Sequence, residues 1–227
     1  MPRLDDVLGG LPHETAVALL SELLAGLRVR LASLSLSAPV IGAESVGKIV
    51  DAVTANSAAL STLNLKGTGR CCLIGVDGVG LLSEALARNN TLTALDLGGN
   101  TLGVHGAVKV ADALATNSTL TTLNLHENMI QDAGACHVAR VLAANTRLTA
   151  LELGHNGIRG KGAAHLAAAL RRNTTLTRLD LRGNELYAET AQEFVEVLRT
   201  RPPPPGGSFT LLGVSLCQGS RDLRDLD

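Results

Sequence analysis

Aromatic side chains are nearly missing: the 227 positions hold one Tyr, two Phe and no Trp. A core without large rings must be built from aliphatic side chains. The four cysteines, Cys71, Cys72, Cys136 and Cys217, include no C-x-x-C pair, and two are adjacent. That spacing suits neither a zinc site nor a disulfide framework, so they read as intracellular free thiols. No sign of charge dominates, since 20 Lys and Arg face 21 Asp and Glu for a net charge of -1. Without a global basic field the expectation is no nucleic-acid partner. No apolar run approaches the ~18 residues of a membrane span. Asp5 and Asp6 interrupt the first residues where a signal peptide needs an apolar stretch. Disorder is also excluded, because 45% of residues are hydrophobic and only 18% charged. The expectation is a soluble, cytoplasmic protein, with a cytoskeletal or organellar assembly as one setting for it.

What the chain has in abundance is leucine, at 42 positions. The pattern L-x-x-L-x-L-x-x-N-x-L stands at Leu92, Leu95, Leu97, Asn100 and Leu102, and returns from Leu120, Leu148 and Leu176 with a period of 28. Weaker copies start at Leu31, Leu60 and Leu211, giving about seven candidate strands. Alternation sends Leu95 and Leu97 to one face of a strand and Asp96 to the other. The next segment has helical spacing, with Val108, Ala111 and Leu114 as a stripe widened by Ala107, Val110 and Ala113. Asn117, Asn145 and Asn173 follow as helix stops. A strand with its crossover helix cannot bury its apolar face alone, whereas stacked copies share one core. The reading is an α/β solenoid, with parallel strands on the concave side and helices on the convex side.

Asn100, Asn128, Asn156 and Asn184 stand just past their strands, where an inward amide satisfies turn backbone that would otherwise cost ~1–3 kcal/mol per buried group. They read as structure. The sequons at Asn89, Asn117 and Asn173 recur in repeat phase and read as unglycosylated loop residues.

The unit G-x-x-x-[AV]-A-x-[AV]-L-x-x-N leading into [ST]-x-L-x-x-L-x-L-x-x-N resembles the ribonuclease-inhibitor subfamily of leucine-rich repeats. It is similar to the arrays of NOD-like receptors, of the activating proteins for the GTPase Ran, and of some flagellar axoneme subunits. The resemblance runs from about Leu31 to Leu216. It implies a horseshoe arc that binds other macromolecules through its inner surface.

Some places depart from the period. Pro39 occupies an Asn position, a surplus falls between Leu65 and Gly75, and Pro202 to Gly207 lengthen the step to Leu211. The organisation expected is a helical cap over residues 1–30, repeats over 31–216, and a tail or partial cap over 217–227. Leu223 and Leu226 supply little to close the last unit, so a partner is expected to dock at the C-terminal end.

Chemistry-bearing constellations are sparse. Gly75 to Ser83 has glycines at phosphate-loop spacing, but Leu81 occupies the place of the lysine that must reach phosphate. His126 and His155, with Glu127 and Glu152, are the nearest approach to a metal set, and solvated surface is the preferred reading. No catalytic constellation, metal site or cofactor is expected. Arg199 to Pro205 fits R-x-x-P-x-x-P, a polyproline ligand form, beside the plainer reading of an extended loop.

Along the inner face the central column reads Ser35, Asn64, Asp96, Asn124, Glu152, Asp180 and Ser215. Flanking columns contain Arg178 and Gly213 on one side, and His126, Arg182 and Cys217 on the other. Arg178 and Arg182 are the natural anchors for a protein partner, with Asp180 between them. The competing contact is mid-face, at Asp96, His126 and Glu152. The reading is a non-enzymatic protein-interaction module or scaffold subunit. The alternatives are a regulator of a small GTPase and an innate-immune-like sensor fragment.

Overall fold

The computed structural model describes residues 15, 32–35, 46, 47, 49, 50, 60–67, 74–204 and 208–213. The expected N-terminal cap (Thr15 excepted), Cys71 and Cys72, the C-terminal tail, and Val214 and Leu216 lie outside them. The described strands are β1 (Ser33–Ser35), β2 (Thr62–Asn64), β3 (Ala94–Asp96), β4 (Thr122–Asn124), β5 (Ala150–Glu152), β6 (Arg178–Asp180) and β7 (Thr210–Leu212). Their helices are α1 (Val76–Arg88), α2 (Gly103–Thr116), α3 (Gln131–Leu142), α4 (Gly160–Leu170) and α5 (Ala188–Thr200). All seven strands pair in parallel, in chain order, in one sheet.

One row of the sheet is leucine throughout: Leu34, Leu63, Leu95, Leu123, Leu151, Leu179 and Leu211 stand in register. All but the last are almost wholly buried, against the apolar stripes of the helices. In α2 that stripe is Ala107, Val110, Ala111 and Leu114, while Val108 is only half-buried. The stripe therefore centres one residue earlier than Val108, on the i, i+3, i+4, i+7 set of a helix face. Adjacent strands lie ~4.8 Å apart and packed helices ~8–10 Å, so the stack bends with the sheet inside.

Three side-chain ladders knit the repeats. In the first, Asn156 donates to the Leu125 carbonyl at 2.8 Å while its own oxygen accepts the Asn128 amide at 2.9 Å. Asn128 and Asn184 repeat the donation, to Leu97 and Leu153. Ile74 joins this ladder through its amide to Asn100 at 3.1 Å, as Ile130 does to Asn156. The chain has thus regained its phase after the surplus before Gly75. In the second ladder, Asn117 donates to Leu86 and Asn89 carbonyls and accepts the Leu120 amide. Asn173 does the same two repeats on, with Leu142, Asn145 and Leu176. The third ladder is hydroxylic: Thr93, Thr121, Thr149 and Thr177 each donate to the carbonyl of the preceding repeat's Ser or Thr, at 2.9–3.1 Å.

The last strand corrects the expected columns. Leu211 pairs with Leu179, and Thr210 and Leu212 take the places assigned to Gly213 and Ser215. Gly213 itself adopts a left-handed φ of 78° next to Arg182, so the extended strand ends there. Upstream, the Thr210 amide bonds the Thr177 carbonyl at 2.7 Å, fixing the register.

Candidate functional site

The inner face gathers the expected residues into three separate groups. In the first, Arg178 on β6 reaches Glu152 on β5 at 3.4 Å. One strand position along, Arg182 grips Asp180 with Nε at 3.0 Å from both oxygens and Nη2 at 2.6 Å from one. Asp180 is almost fully buried, and Arg182 is largely exposed. Burial alone drives the Asp180 carboxyl upward, but the side-chain and backbone hydrogen bonds from Arg182 and the charges of Arg182 and Arg178 outweigh it. The net shift is down, below the ordinary carboxylate range, and Arg182 is correspondingly raised by its bond to Asp180. Two cations and two anions therefore form one pre-set cluster.

The second group is Asp96, which is occupied locally. Its carboxylate accepts the Gly98 amide at 2.8 Å. Asn64, Asn124 and Asp180 accept the amide two residues on in the same way. The central column is thus chiefly a set of side chains that end each strand, a role its polar, alternating pattern does not disclose. Glu152 stands apart from that role, its longer arm reaching Arg178 instead.

The third group is His126 with His155, whose rings meet edge to face with centroids 5.0 Å apart. His126 Nε2 also lies 3.6 Å from Glu127. Room for the rings comes from glycine, since a Cβ on Gly154 would strike His126 and one on Gly183 would strike His155. Around these histidines the backbone is left-handed at non-glycine residues: Glu127 and His155 have φ of 54° and 53° where Gly99 and Gly183 stand in the flanking repeats. Among the described residues no group of three or more His, Cys, Asp or Glu is arranged to hold a metal ion.

Other sequence candidates resolve as framework. Asn117 and Asn173 are buried with both amide hydrogens engaged, and Asn89 is buried as well, so none offers a nitrogen for a glycan. Burial pushes the Cys136 thiol above its ordinary range, opposite to the shift that activates a nucleophile. No described helix is long and apolar enough to cross a membrane.

Strand–turn–helix units stacked through asparagine ladders are matched by the family model described as Leucine Rich repeat, over residues 88–111, 116–135, 144–167 and 172–191. The chain carries leucine-rich repeats. Among solved structures, leiomodin-1 actin-binding site 2 is similar at 19% identity, with a TM-score of 0.50 over 88% of this chain and 90% of that one. The tropomodulin C-terminal domain of Caenorhabditis elegans matches at 11% identity, with a TM-score of 0.48 over 81% and 92%. A leucine-rich repeat-containing protein from Legionella pneumophila matches at 18% identity, with a TM-score of 0.49 over 81% of this chain and 58% of that one. No curated protein matches the leucine-rich repeat chain by sequence. At these identities the first of the three supports the leucine-rich repeat fold and nothing finer.

Proposed function

We propose that this leucine-rich repeat chain is a non-enzymatic interaction module, a scaffold subunit of an intracellular assembly, whose protein partner docks on the C-terminal third from Arg178 onward. The observation that carries this reading is the Glu152, Arg178, Asp180 and Arg182 cluster. Arginine is a favoured anchor at protein interfaces. Here both guanidinium groups are held by carboxylates yet stay open to solvent, with side chains 45% and 61% exposed. Side chains ordered before binding lose less entropy on binding. The likeness in fold to leiomodin-1 actin-binding site 2 supports a protein partner and makes a cytoskeletal one the first to test.

The test compares capture from native extract by Arg178→Gln/Arg182→Gln with capture by Asp96→Asn/His126→Gln, which leaves the Glu152 partner of Arg178 in place. Melting curves first establish that both variants fold. Loss of the captured protein in the first variant alone is the expected result. Loss in the second alone moves the contact to mid-face and overturns the C-terminal reading.

A further inference from the structure

From position 133 to 179 the chain holds seven Lys and Arg against one acid, Glu152, in a protein whose net charge is -1. Three of these cations are accounted for elsewhere. Arg159 pairs with Glu185, Arg178 with Glu152, and Lys161 stands in the first turn of α4, at the opposite end of the helix from Arg171 and Arg172. The remaining four, Arg140, Arg147, Arg171 and Arg172, are exposed and make no ion pair among the described residues.

These four share one edge of the arc, where the helices run back to the strands. Arg140 stands in the last turn of α3 and Arg147 in the loop beyond it, while Arg171 and Arg172 directly follow α4. Between the ends of α2 and α3 opens a groove of about 530 Å³, lined by both Arg140 and Arg147 with the hydroxyl residues Thr116, Ser118 and Thr146. Attraction of cations to helix C-terminal carbonyls accounts for a basic residue in a last turn, but it fades within that turn. Arg147 lies past it, and each of these two helix ends carries a pair. At Arg140's position the neighbouring repeats have Asp112 on α2 and Ala168 on α4, and Asp112 makes no ion pair with the four.

We propose that this helix-end edge binds an extended acidic segment of a partner protein, laid across the ends of α2, α3 and α4 with carboxylates on Arg140, Arg147, Arg171 and Arg172. All four cations are arginine, whose planar fork matches a carboxylate with two parallel bonds. The patch is short and single-signed, which fits a few acidic side chains. Nucleic acid is disfavoured because the edge has no aromatic ring for bases to stack on. A lipid surface is disfavoured because the groove's apolar lining, Leu114, Ala115, Val141 and Ala144, offers no large exposed side chain to insert. The edge is a different face from the concave sheet, and the proposal does not rest on the docking site argued above.

Three helix ends ~10 Å apart span ~20 Å, which an extended chain of about ten residues covers with margin. The experiment is therefore fluorescence anisotropy of the full chain with a labelled, glutamate-rich peptide of about that length. A glutamine-rich peptide, a thymidine oligonucleotide of equal charge and phosphatidylserine vesicles are run beside it. The glutamate peptide should bind best, and binding should weaken as salt is raised. Arg140→Gln/Arg147→Gln and Arg171→Gln/Arg172→Gln should each lose at least about tenfold in affinity, equivalent to about 1.4 kcal/mol. Arg178→Gln/Arg182→Gln on the concave face should bind as the native chain does. Far-ultraviolet circular dichroism guards against unfolding, which these exposed substitutions are not expected to cause. The proposal is overturned by failure of the glutamate peptide to bind, by equal binding of the glutamine peptide, by tighter binding of oligonucleotide or vesicles, or by a loss confined to the concave variant.

Discussion

Arg201 stands one period of 28 residues after Asn173 and donates its Nε hydrogen to the Asn173 carbonyl at 2.9 Å. Its Nη2 reaches the Leu176 carbonyl at 2.7 Å, and its guanidinium lies 4.5 Å from the centre of the Phe209 ring. The helix-end ladder of Asn117, Asn145 and Asn173 therefore continues as an arginine. Each ladder asparagine also accepts the amides two and three residues on, as Asn173 does from Thr175 and Leu176. After Arg201 those positions are Pro203 and Pro204, which have no N–H to give. A residue that only donates fits there, and burial lowers the affinity of its guanidinium for the proton without removing the charge.

Arg201→Ala should destabilise the chain by ~1–3 kcal/mol for each buried carbonyl left without its donor. Arg201→Asn should not restore stability, although it restores the repeat consensus. Urea denaturation of the two variants checks both statements, and an asparagine variant as stable as the native chain would refute the account of the prolines.

Leu123 and Leu151 are wholly buried in the leucine row of the sheet. Replacing either by alanine should cost ~2–5 kcal/mol. Chemical denaturation showing a loss below ~1 kcal/mol would mean that these positions do not face the core.

Asn156→Ala removes the donor to the Leu125 carbonyl and the acceptor of the Asn128 and Ile130 amides. The expected loss is ~1–3 kcal/mol for each group left unpaired, felt in the Asn156 repeat and in the one before it. Native-state hydrogen exchange should show faster exchange at Asn128 and Ile130 in this variant, and unchanged protection there would count against the ladder.

The strand-to-helix turns give a pair of opposite signs. Gly183→Ala places a side chain at a left-handed φ of 70° against the His155 ring and should cost ~1–2 kcal/mol or more. Glu127→Gly relieves the same backbone conformation two repeats earlier and should stabilise by less than ~1 kcal/mol after the entropy of glycine is subtracted. Thermal melts of the two variants should shift in opposite directions.

Asp180 sets an acid limit. Because its carboxyl is depressed in the folded chain, its contribution is fully present above the unfolded value of ~3.9 and is lost as pH falls through the folded value. Denaturation midpoints of the native chain should therefore fall below about pH 4 more steeply than those of Asp180→Asn. Identical acid profiles would show that the Arg182 pair does not bind the proton-free form preferentially.

The sequence by itself determined the repeat, the strand order, the leucine row and the structural role of the turn asparagines. Each is a consequence of period: residues 28 apart that stack on one another must share one environment, so a single unit reports on all of them. It also brought Arg178, Asp180 and Arg182 together, because the strand period places them on one face. Tertiary structure decided what the period does not encode. It paired Arg178 with Glu152 across neighbouring strands and gave Asn64, Asp96, Asn124 and Asp180 their strand-ending bonds, which depend on side-chain length and reach. It moved the last strand three residues earlier than the consensus match at Leu211, Val214 and Leu216, because the Thr210 amide and the left-handed turn at Gly213 outweigh a leucine pattern. It also collected Arg140, Arg147, Arg171 and Arg172 on one edge. In the sequence they are diluted among Arg159, Lys161 and Arg178, and only the path of the chain sets these four at the helix ends, apart from the cations that pair with a carboxylate.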